Sequence, residues 1–371
     1  MLVDVFRCFA PSYIKRFAGR LLASHAWALS DILRCRTPAC GGHAYLCADC
    51  GERHLVADCG ERHLVAHSCR NRHCPTCGAA STEEWLAARR GELLGTGYFH
   101  LVFTLPAARR EVCRSNQGTA YTLLFQAAYG ALQKLADDPR YVGGRLAVLG
   151  MLHTWSRALV YHPHIHLLAP AGGLGPDGRW RPSNPASLVP VRALSRLFRS
   201  MFLAKLEAAL PQVAMPPSVR RKDRVVYRKA APRGPERVLQ YLGRYLRRVA
   251  ITSARLVGFD QSAVTFRYRD RDCGSWRTMT LAGHEFLRRY LQHVLPRGFH
   301  KVRYFGLWHP RHRDSLCRVA AQLALAAAES HPTAGPAQVA PPTATPPHRC
   351  PRCGSIRLCC LGHVRPSPRP P

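Results

Sequence analysis

Acidic residues are scarce in this 371-residue chain, which has 22 Asp and Glu residues against 54 Lys and Arg residues and a formal net charge of +32. Charge repulsion on this scale opposes compaction, so a polyanionic partner is the natural explanation. Most of the cations are Arg, which suits bidentate contacts with phosphates. A GC-rich genome is the alternative source of so much Arg, but we expect nucleic acid as the partner.

Long apolar runs are also missing. No stretch approaches the roughly 20 apolar residues that a membrane-spanning helix needs. The N-terminal segment MLVDVFRCFAPSYIKRF has an early acidic residue and lacks the apolar core of a signal peptide. We therefore expect a cytoplasmic, nucleoid-associated protein without a membrane partner.

Cysteine, in contrast, is abundant, and its placement argues against a disulfide framework. Of the 16 cysteines, nine lie in the first 77 residues and four in the last 22. Pairs at CxxC spacing in a chain without a signal peptide are typical of zinc ligands in a reducing compartment. Cys47 and Cys50, together with Cys74 and Cys77, have zinc-ribbon spacing, and we predict that these thiolates bind structural Zn²⁺.

Further ligand candidates surround these knuckles. These residues either take no part in metal binding or form a second zinc site. They are Cys35, Cys40, Cys59, Cys69 and His73. Arg70 and Arg72 lie inside the module and are expected to face DNA phosphates, unless they only solvate the knuckle.

A second knuckle-like motif, Cys350-Pro-Arg-Cys353-Gly, stands near the C-terminus. Cys359, Cys360 and His363 could complete a zinc site with it. A disordered basic tail is the alternative.

The order of these patterns predicts an α+β protein with five regions. They are an N-terminal helical segment (1–34), a zinc-binding module (35–80), a folded α+β domain (81–315), an Ala/Pro-rich linker (316–349) and a Cys-containing basic tail (350–371). Ser81-x-x-Glu84 is a capping box, which predicts that a helix begins there. Within the domain we predict helices at 119–136, 193–210 and 235–250 and strands at 99–105, 145–155, 158–169, 254–259, 263–269 and 276–281.

A tandem duplication interrupts the zinc-binding module. The segment ADCGERHLV at 48–56 recurs unchanged at 57–65, which indicates a recent in-frame duplication of the coding DNA. A nine-residue repeat is too short to build a repeat fold. The duplication copies a candidate ligand, so Cys50 and Cys59 compete for one role.

The most specific motif is YHPHIHL at 161–167. On a strand, side chains alternate between faces, so His162, His164 and His166 share one face and Ile165 points into the core. Two imidazoles two residues apart can hold one divalent ion and leave open positions for substrate oxygens. We predict His164 and His166 as metal ligands. His162, His153 and Gln240 are candidates for the third ligand, of which we predict His162.

A helix with two tyrosines follows in PERVLQYLGRYLRRVAI. At about 100° per residue, Tyr241 and Tyr245 fall between the apolar stripe and a wall formed by Arg237, Arg244 and Arg248. The tyrosines are four residues apart and therefore share a face. A phenol is a weak nucleophile unless nearby cations or a metal favour its ionised form. Two amphipathic residues at the edge of a core are the alternative interpretation.

Taken together, these segments resemble the two-tyrosine HUH transposases of the IS91-like insertion sequences. The resemblance covers about residues 5–313, and its most specific parts are HSCRNRHCPTC (67–77) and the segment 235–252. It implies an antiparallel-sheet HUH endonuclease domain with helices on its faces, preceded by the zinc-binding module.

The same resemblance implies the chemistry. Mg²⁺ or Mn²⁺ held by His164 and His166 would polarise a scissile phosphate, and Tyr241 or Tyr245 would attack it. The products would be a 5′-phosphotyrosine and a free 3′-OH, as needed for rolling-circle transposition. The expected partners are single-stranded DNA at transposon ends and target DNA.

Two other functions are compatible with these motifs. A rolling-circle replication initiator would use the same chemistry, and an inactive zinc-dependent DNA-binding relic would keep only the binding. The sequence leaves open the DNA target, the tyrosine that attacks first and homo-oligomerisation.

Overall fold

A computed structural model describes residues 2–51, 53–56, 66–105, 110–212, 226–230, 237, 238, 240, 243, 250–270, 273–330, 350 and 352–368, with the backbone alone at 54–56, 78–81, 228–230 and 330. The helices are α1 (Leu2–Phe17), α2 (Ala23–Arg34), α3 (Gly78–Arg90), α4 (Arg110–Ser115), α5 (Gln117–Ala136), α6 (Val191–Ala209), α7 (Gly283–Leu291) and α8 (Arg313–Ser330). The strands are β1 (Gly42–Cys47), β2 (Arg53–Val56), β3 (Tyr98–Thr104), β4 (Ala147–Trp155), β5 (Tyr161–Pro170), β6 (Gly172–Leu174), β7 (Trp180–Pro182), β8 (Val226–Ala230), β9 (Leu256–Phe259), β10 (Ala263–Arg269), β11 (Trp276–Ala282), β12 (Val302–Gly306) and β13 (Leu358–Val364).

These elements fall into two compact units. The first unit combines Met1–Glu84, Arg247–Val294 and Pro336–Pro371, and the second combines Trp85–Leu246 and Leu295–Gly335. The sequence-based boundaries were contiguous, whereas both units are assembled from separated segments. The strands β9 to β11 and helix α7, which fall inside the expected 81–315 domain, lie in the first unit.

The second unit is built on a five-stranded antiparallel sheet with the order β12-β4-β5-β3-β8. Alternation along β5 sends Ile165 and Leu167 to one face, where both are fully buried. Helices α5 and α6 cover that face, and their Phe125 and Phe198 belong to the same core. Burying each such side chain contributes roughly 1.5–3 kcal/mol, so this core fixes the register of the strand.

The opposite face of the sheet has its own apolar cluster. Met151 on β4 and Leu168 on β5 are buried there with Trp308 and with Val319 of α8. Because Met151 pairs with His166 across the two strands, this is the face that carries the even-numbered histidines of β5. The fold class predicted from the sequence, an antiparallel sheet with helices on its faces, is therefore confirmed.

The first unit packs helices against two small sheets, with the orders β13-β1-β2 and β11-β10-β9. Helix α1 packs on α7, where the rings of Phe6 and Tyr290 meet edge to face at 4.8 Å. A Cβ atom on Gly283 would overlap the Phe9 ring, so this close approach requires glycine. The Tyr290 hydroxyl donates a hydrogen bond to the carbonyl oxygen of His73 and ties α7 to the cysteine-rich loop.

Several element boundaries differ from the prediction. The predicted N-terminal helical segment (1–34) consists of two helices, α1 and α2, separated at 18–22. The capping-box prediction was wrong, since α3 begins at Gly78, directly after Cys77, and Ser81 lies inside it. The predicted linker also begins too early because α8 runs to Ser330. Among the described helices, none has the length and apolar character to cross a bilayer.

Candidate functional site

Three histidines converge at one point of the second unit. His153 on β4 pairs directly with His164 on β5, and His166 lies two residues further along the same face. The ligand nitrogens of these three residues all lie within 4.8 Å of one another. The ring centres are 5.5 Å apart for His153 and His164, and 4.4 Å apart for His153 and His166.

The His164 ring is held in a form that can bind a metal. Its Nδ1–H donates to the carbonyl oxygen of His162 at 2.7 Å, which leaves the lone pair of Nε2 for a ligand bond. Burial disfavours the charged imidazolium and lowers the pKa of His164 to about 4. The ring is therefore neutral at physiological pH, as metal ligation requires.

A fourth histidine supports the cluster from behind. His100 on β3 is buried, and its Nε2 lies 2.7 Å from Nδ1 of His166 in a hydrogen bond. The two rings are nearly parallel, with an interplanar angle of 9°. A partner on the second ring nitrogen fixes the tautomer and orientation of a metal-binding histidine. Sequence reasoning missed His100, although strand alternation together with the β3–β5 register would have placed it on this face.

The other candidates for the third metal ligand lie differently. The His162 ring centre is 5.2 Å from that of His164, but His162 does not belong to the trio. The Gln240 side chain is exposed. Since His153 is brought opposite His164 by the pairing of β4 and β5, long-range register supplies the third imidazole that the sequence left undecided.

The two tyrosines, Tyr241 and Tyr245, lie outside the described residues, and so do Arg244 and Arg248. Two other residues of the sequence 235–250, Val238 and Gly243, are described and have defined contacts. Val238 is fully buried in the cluster on the histidine-bearing face of the sheet, and a Cβ on Gly243 would lie 3.0 Å from Leu86 of that cluster. Arg237 is exposed.

The trio fits a divalent cation. Three imidazoles whose ligand nitrogens lie within 4.8 Å of one another can ligate one ion and leave its remaining positions to water or substrate oxygens. Imidazole ligands suit transition metals better than Mg²⁺, so of the two expected ions Mn²⁺ matches this ligand set better.

The cysteines of the first unit form two separate groups. The first contains Cys35, Cys69, Cys74 and Cys77. Within it, the sulfur atoms of Cys69 and Cys77 are 3.7 Å apart. Hydrogen bonds from the neighbouring thiols of Cys35, Cys69 and Cys77 lower the pKa of Cys74. Such a thiolate is the form that ligates zinc.

The second group joins distant parts of the chain: Cys47, Cys50, Cys350 and Cys353. The predicted ligands Cys47 and Cys50 thus lie with the C-terminal cysteines, apart from Cys74 and Cys77. Backbone N–H groups of Cys50 and Asp49 donate to the Cys47 sulfur and lower the pKa of Cys47 to about 7. None of the cysteines that the structure describes forms a disulfide.

The remaining ligand candidates are distributed as follows. The ligand atoms of His43, His67 and His363 lie within 4.8 Å of one another and form a further group. Cys359 and Cys360 are exposed and belong to no group among the described residues. Cys59 lies outside the described residues.

Two arginines predicted to contact DNA lie on the loop of the first cysteine group. Arg70 and Arg72 are both exposed. Arg70 follows Cys69 directly and has a positive φ of 52°, a backbone conformation that is uncommon for residues other than glycine.

Two protein-family models match ranges that contain these residues. The family described as "Putative transposase" matches residues 147–315, which include the histidine trio. The family described as "Transposase zinc-binding domain" matches residues 5–105, which include the first cysteine group.

Two relatives extend over most of the chain. A Sinorhizobium fredii (strain NBRC 101917 / NGR234) protein named "Putative transposase y4qJ" is 39% identical over 333 residues, which is 84% of this chain and 81% of that protein. The transposase for insertion sequence element IS801 of Pseudomonas savastanoi pv. phaseolicola is 28% identical over 302 residues, 75% of this chain and 68% of that protein. No solved structure matches the chain. The chain belongs to the IS91-type transposase family, and it contains the zinc-binding domain of that family.

Proposed function

We propose that this transposase nicks and rejoins single-stranded DNA at the ends of its mobile element through a 5′-phosphotyrosine intermediate, and that this reaction drives rolling-circle transposition. The observation that carries the proposal is the convergence of His153, His164 and His166 on one face of a rigid antiparallel sheet. A ligand set on strands is held more precisely than one on loops.

In this proposal His153, His164 and His166 would hold the catalytic ion, with His153 as the third ligand in place of His162. The ion, Mg²⁺ or Mn²⁺, would act as a Lewis acid toward a scissile phosphate. His100 keeps the His166 ring in place by accepting a hydrogen bond from Nδ1–H, so that Nε2 faces the ion.

Tyr241 or Tyr245 is the nucleophile. Its phenolic oxygen loses its proton and bonds to phosphorus, the bond from phosphorus to the 3′ oxygen breaks, and that oxygen takes up a proton to become a 3′-OH. Support comes from Val238, which is three residues before Tyr241 and packs on the histidine-bearing face of the sheet. Arg237, with Arg244 and Arg248, would hold the phosphates of the strand.

A cleavage assay with labelled single-stranded DNA from the element's ends tests the proposal. With Mn²⁺ we expect a nick whose 5′-phosphate end remains covalently attached to the protein, and with EDTA we expect none. His153→Ala should reduce cleavage by at least about 100-fold because one of three metal ligands is lost. His162→Ala is the matched control on the same strand and should retain cleavage.

Single substitutions then separate the nucleophiles. Tyr241→Phe and Tyr245→Phe remove one phenol each without changing ring size, and loss of the covalent adduct identifies the residue that attacks first. An intact covalent adduct in the double variant Tyr241→Phe/Tyr245→Phe would refute the proposed nucleophiles. Equal losses of cleavage in His153→Ala and His162→Ala would refute the proposed metal site.

A further inference from the structure

We propose that Cys350 and Cys353 complete a second structural zinc site with Cys47 and Cys50, so that the segment 350–368 is part of the N-terminal zinc-binding module. All four sulfur atoms lie within 4.8 Å of one another. Half of this site lies outside residues 5–105, the range that matches the zinc-binding family.

The sulfur positions agree with tetrahedral zinc. Cys47 and Cys353 place their sulfur atoms 3.5 Å apart, and Cys50 and Cys350 place theirs 3.6 Å apart. Four thiolates around Zn²⁺ at about 2.3 Å are separated by about 3.8 Å along each edge of the tetrahedron. A disulfide would require about 2.05 Å, so these pairs have the spacing of ligands of a common ion.

The two CxxC turns also have the same backbone form. The N–H of Gly51 donates to the Cys47 carbonyl at 2.9 Å, and the N–H of Gly354 donates to the Cys350 carbonyl at 2.7 Å. The two glycines have φ angles of 71° and 75°, which favour glycine over other residues. The chain thus builds the same knuckle twice, once near each end, and the two knuckles face each other.

Pairing outside the thiols holds the C-terminal segment in this place. Strand β13 pairs with β1 from Gly42 opposite Val364 to Cys47 opposite Leu358. Arg357 forms an ion pair with Asp49, which lies between Cys47 and Cys50, at 3.0 Å. The segment therefore reaches the module through its own strand, and the position of Cys350 and Cys353 does not depend on the thiols alone.

The direct test is the zinc content of the full-length protein, measured by elemental mass spectrometry on folded, chelator-free samples. The variant Cys350→Ser/Cys353→Ser should contain one zinc fewer per chain than the unsubstituted protein. Cys359→Ser/Cys360→Ser is the matched control, since it removes two thiols from the same segment that belong to no described group. Equal zinc content in all three proteins would overturn the proposal, and so would equal losses in both variants.

Combined variants test whether the two knuckles share an ion. Cys47→Ser/Cys50→Ser should lose the same zinc as Cys350→Ser/Cys353→Ser, so the fourfold variant should still lack only one. Adding Cys74→Ser should remove a second zinc because that residue belongs to the other group. Additive losses from the two knuckle pairs would contradict a shared site.

A second measurement covers the case in which these variants do not fold. A protease site inserted in the segment 331–349 allows the folded wild-type chain to be cut in front of Cys350. The C-terminal fragment should co-elute with the body in zinc-containing buffer and be released more readily in EDTA, where the pairing of β1 with β13 alone holds it. Separation in zinc, or equal retention in both buffers, would contradict a contribution of zinc to its attachment.

Discussion

One added methyl group at Gly41 should loosen the C-terminal strand. Gly41 has φ 74° and ψ −168°, a conformation that is essentially restricted to glycine. A Cβ at this position would lie 2.5 Å from the carbonyl oxygen of Val364 and 2.9 Å from the backbone nitrogen of Pro366. Both are backbone atoms of the C-terminal segment, so no side-chain rotation can relieve the contact.

Two contributions determine the size of the effect: the backbone strain at residue 41 and the clash of the new Cβ with the C-terminal segment. The backbone conformation costs a non-glycine residue about 1–3 kcal/mol. Real Cβ contacts essentially never fall below 3.0 Å, so the Val364 oxygen must also move by at least 0.5 Å. At about 1.4 kcal/mol per tenfold change, the strain alone corresponds to roughly a 5- to 150-fold change in an opening equilibrium. Gly41→Ala should therefore reduce hydrogen-exchange protection of the β13 amides by about tenfold or more.

A second glycine provides the control. Gly51 has a similar φ of 71°, but a Cβ there would have no atom within 4 Å. Gly51→Ala therefore introduces backbone strain without a direct clash with the C-terminal segment, and β13 should lose less protection than in Gly41→Ala. If β13 exchanges at the wild-type rate in Gly41→Ala, or if both variants have the same effect, the close packing of this segment on Gly41 is not what holds it.

Three further predictions concern the metal ligands, the duplication and DNA binding. His100→Phe removes the hydrogen bond to His166 and should raise the Mn²⁺ concentration for half-maximal cleavage by about 10- to 100-fold. Saturating Mn²⁺ should restore part of the cleavage rate. An unchanged half-maximal concentration would exclude a role of His100 in positioning His166. Deleting 57–65 gives the same chain as deleting 48–56 and retains one complete copy, so zinc content and cleavage should not change, and loss of zinc would assign a role to the second copy. Arg70→Ala/Arg72→Ala should lower the slope of log affinity for single-stranded DNA against log salt by about 1.4 if both contact phosphates, whereas Arg140→Ala, an exposed residue paired with Asp138, should leave the slope unchanged.

Elements with a clear local pattern could be predicted from the sequence. The helices at 117–136 and 191–209 and the strands β3, β4 and β5 lie within a few residues of their predicted positions. Alternation also places His164 and His166 on one face, opposite Ile165. These features depend on the periodicity of neighbouring residues, which a single sequence displays directly.

Pairings between distant segments could not be predicted in the same way. The partner of His164 on the next strand depends on the β4–β5 register, which shifts between His153 and Trp155. The grouping of the cysteines depends on β1 pairing with β13, and CxxC spacing alone does not indicate which knuckles face each other. Helix α3 begins at Gly78, directly after Cys77, so the predicted capping box at Ser81 lies inside the helix.

Because β1 pairs with β13, this sheet can be completed only after β13 has been synthesised. Strand β2 follows β1 from the ribosome almost at once, whereas β13 is the last of the described strands to be made. Until then one edge of β1 presents unpaired N–H and C=O groups, as any open edge strand does. A ribosome that stops early, or a mutation that changes the reading frame late in the gene, leaves that edge open at the opposite end of the polypeptide. The integrity of the N-terminal module thus depends on translation having reached β13.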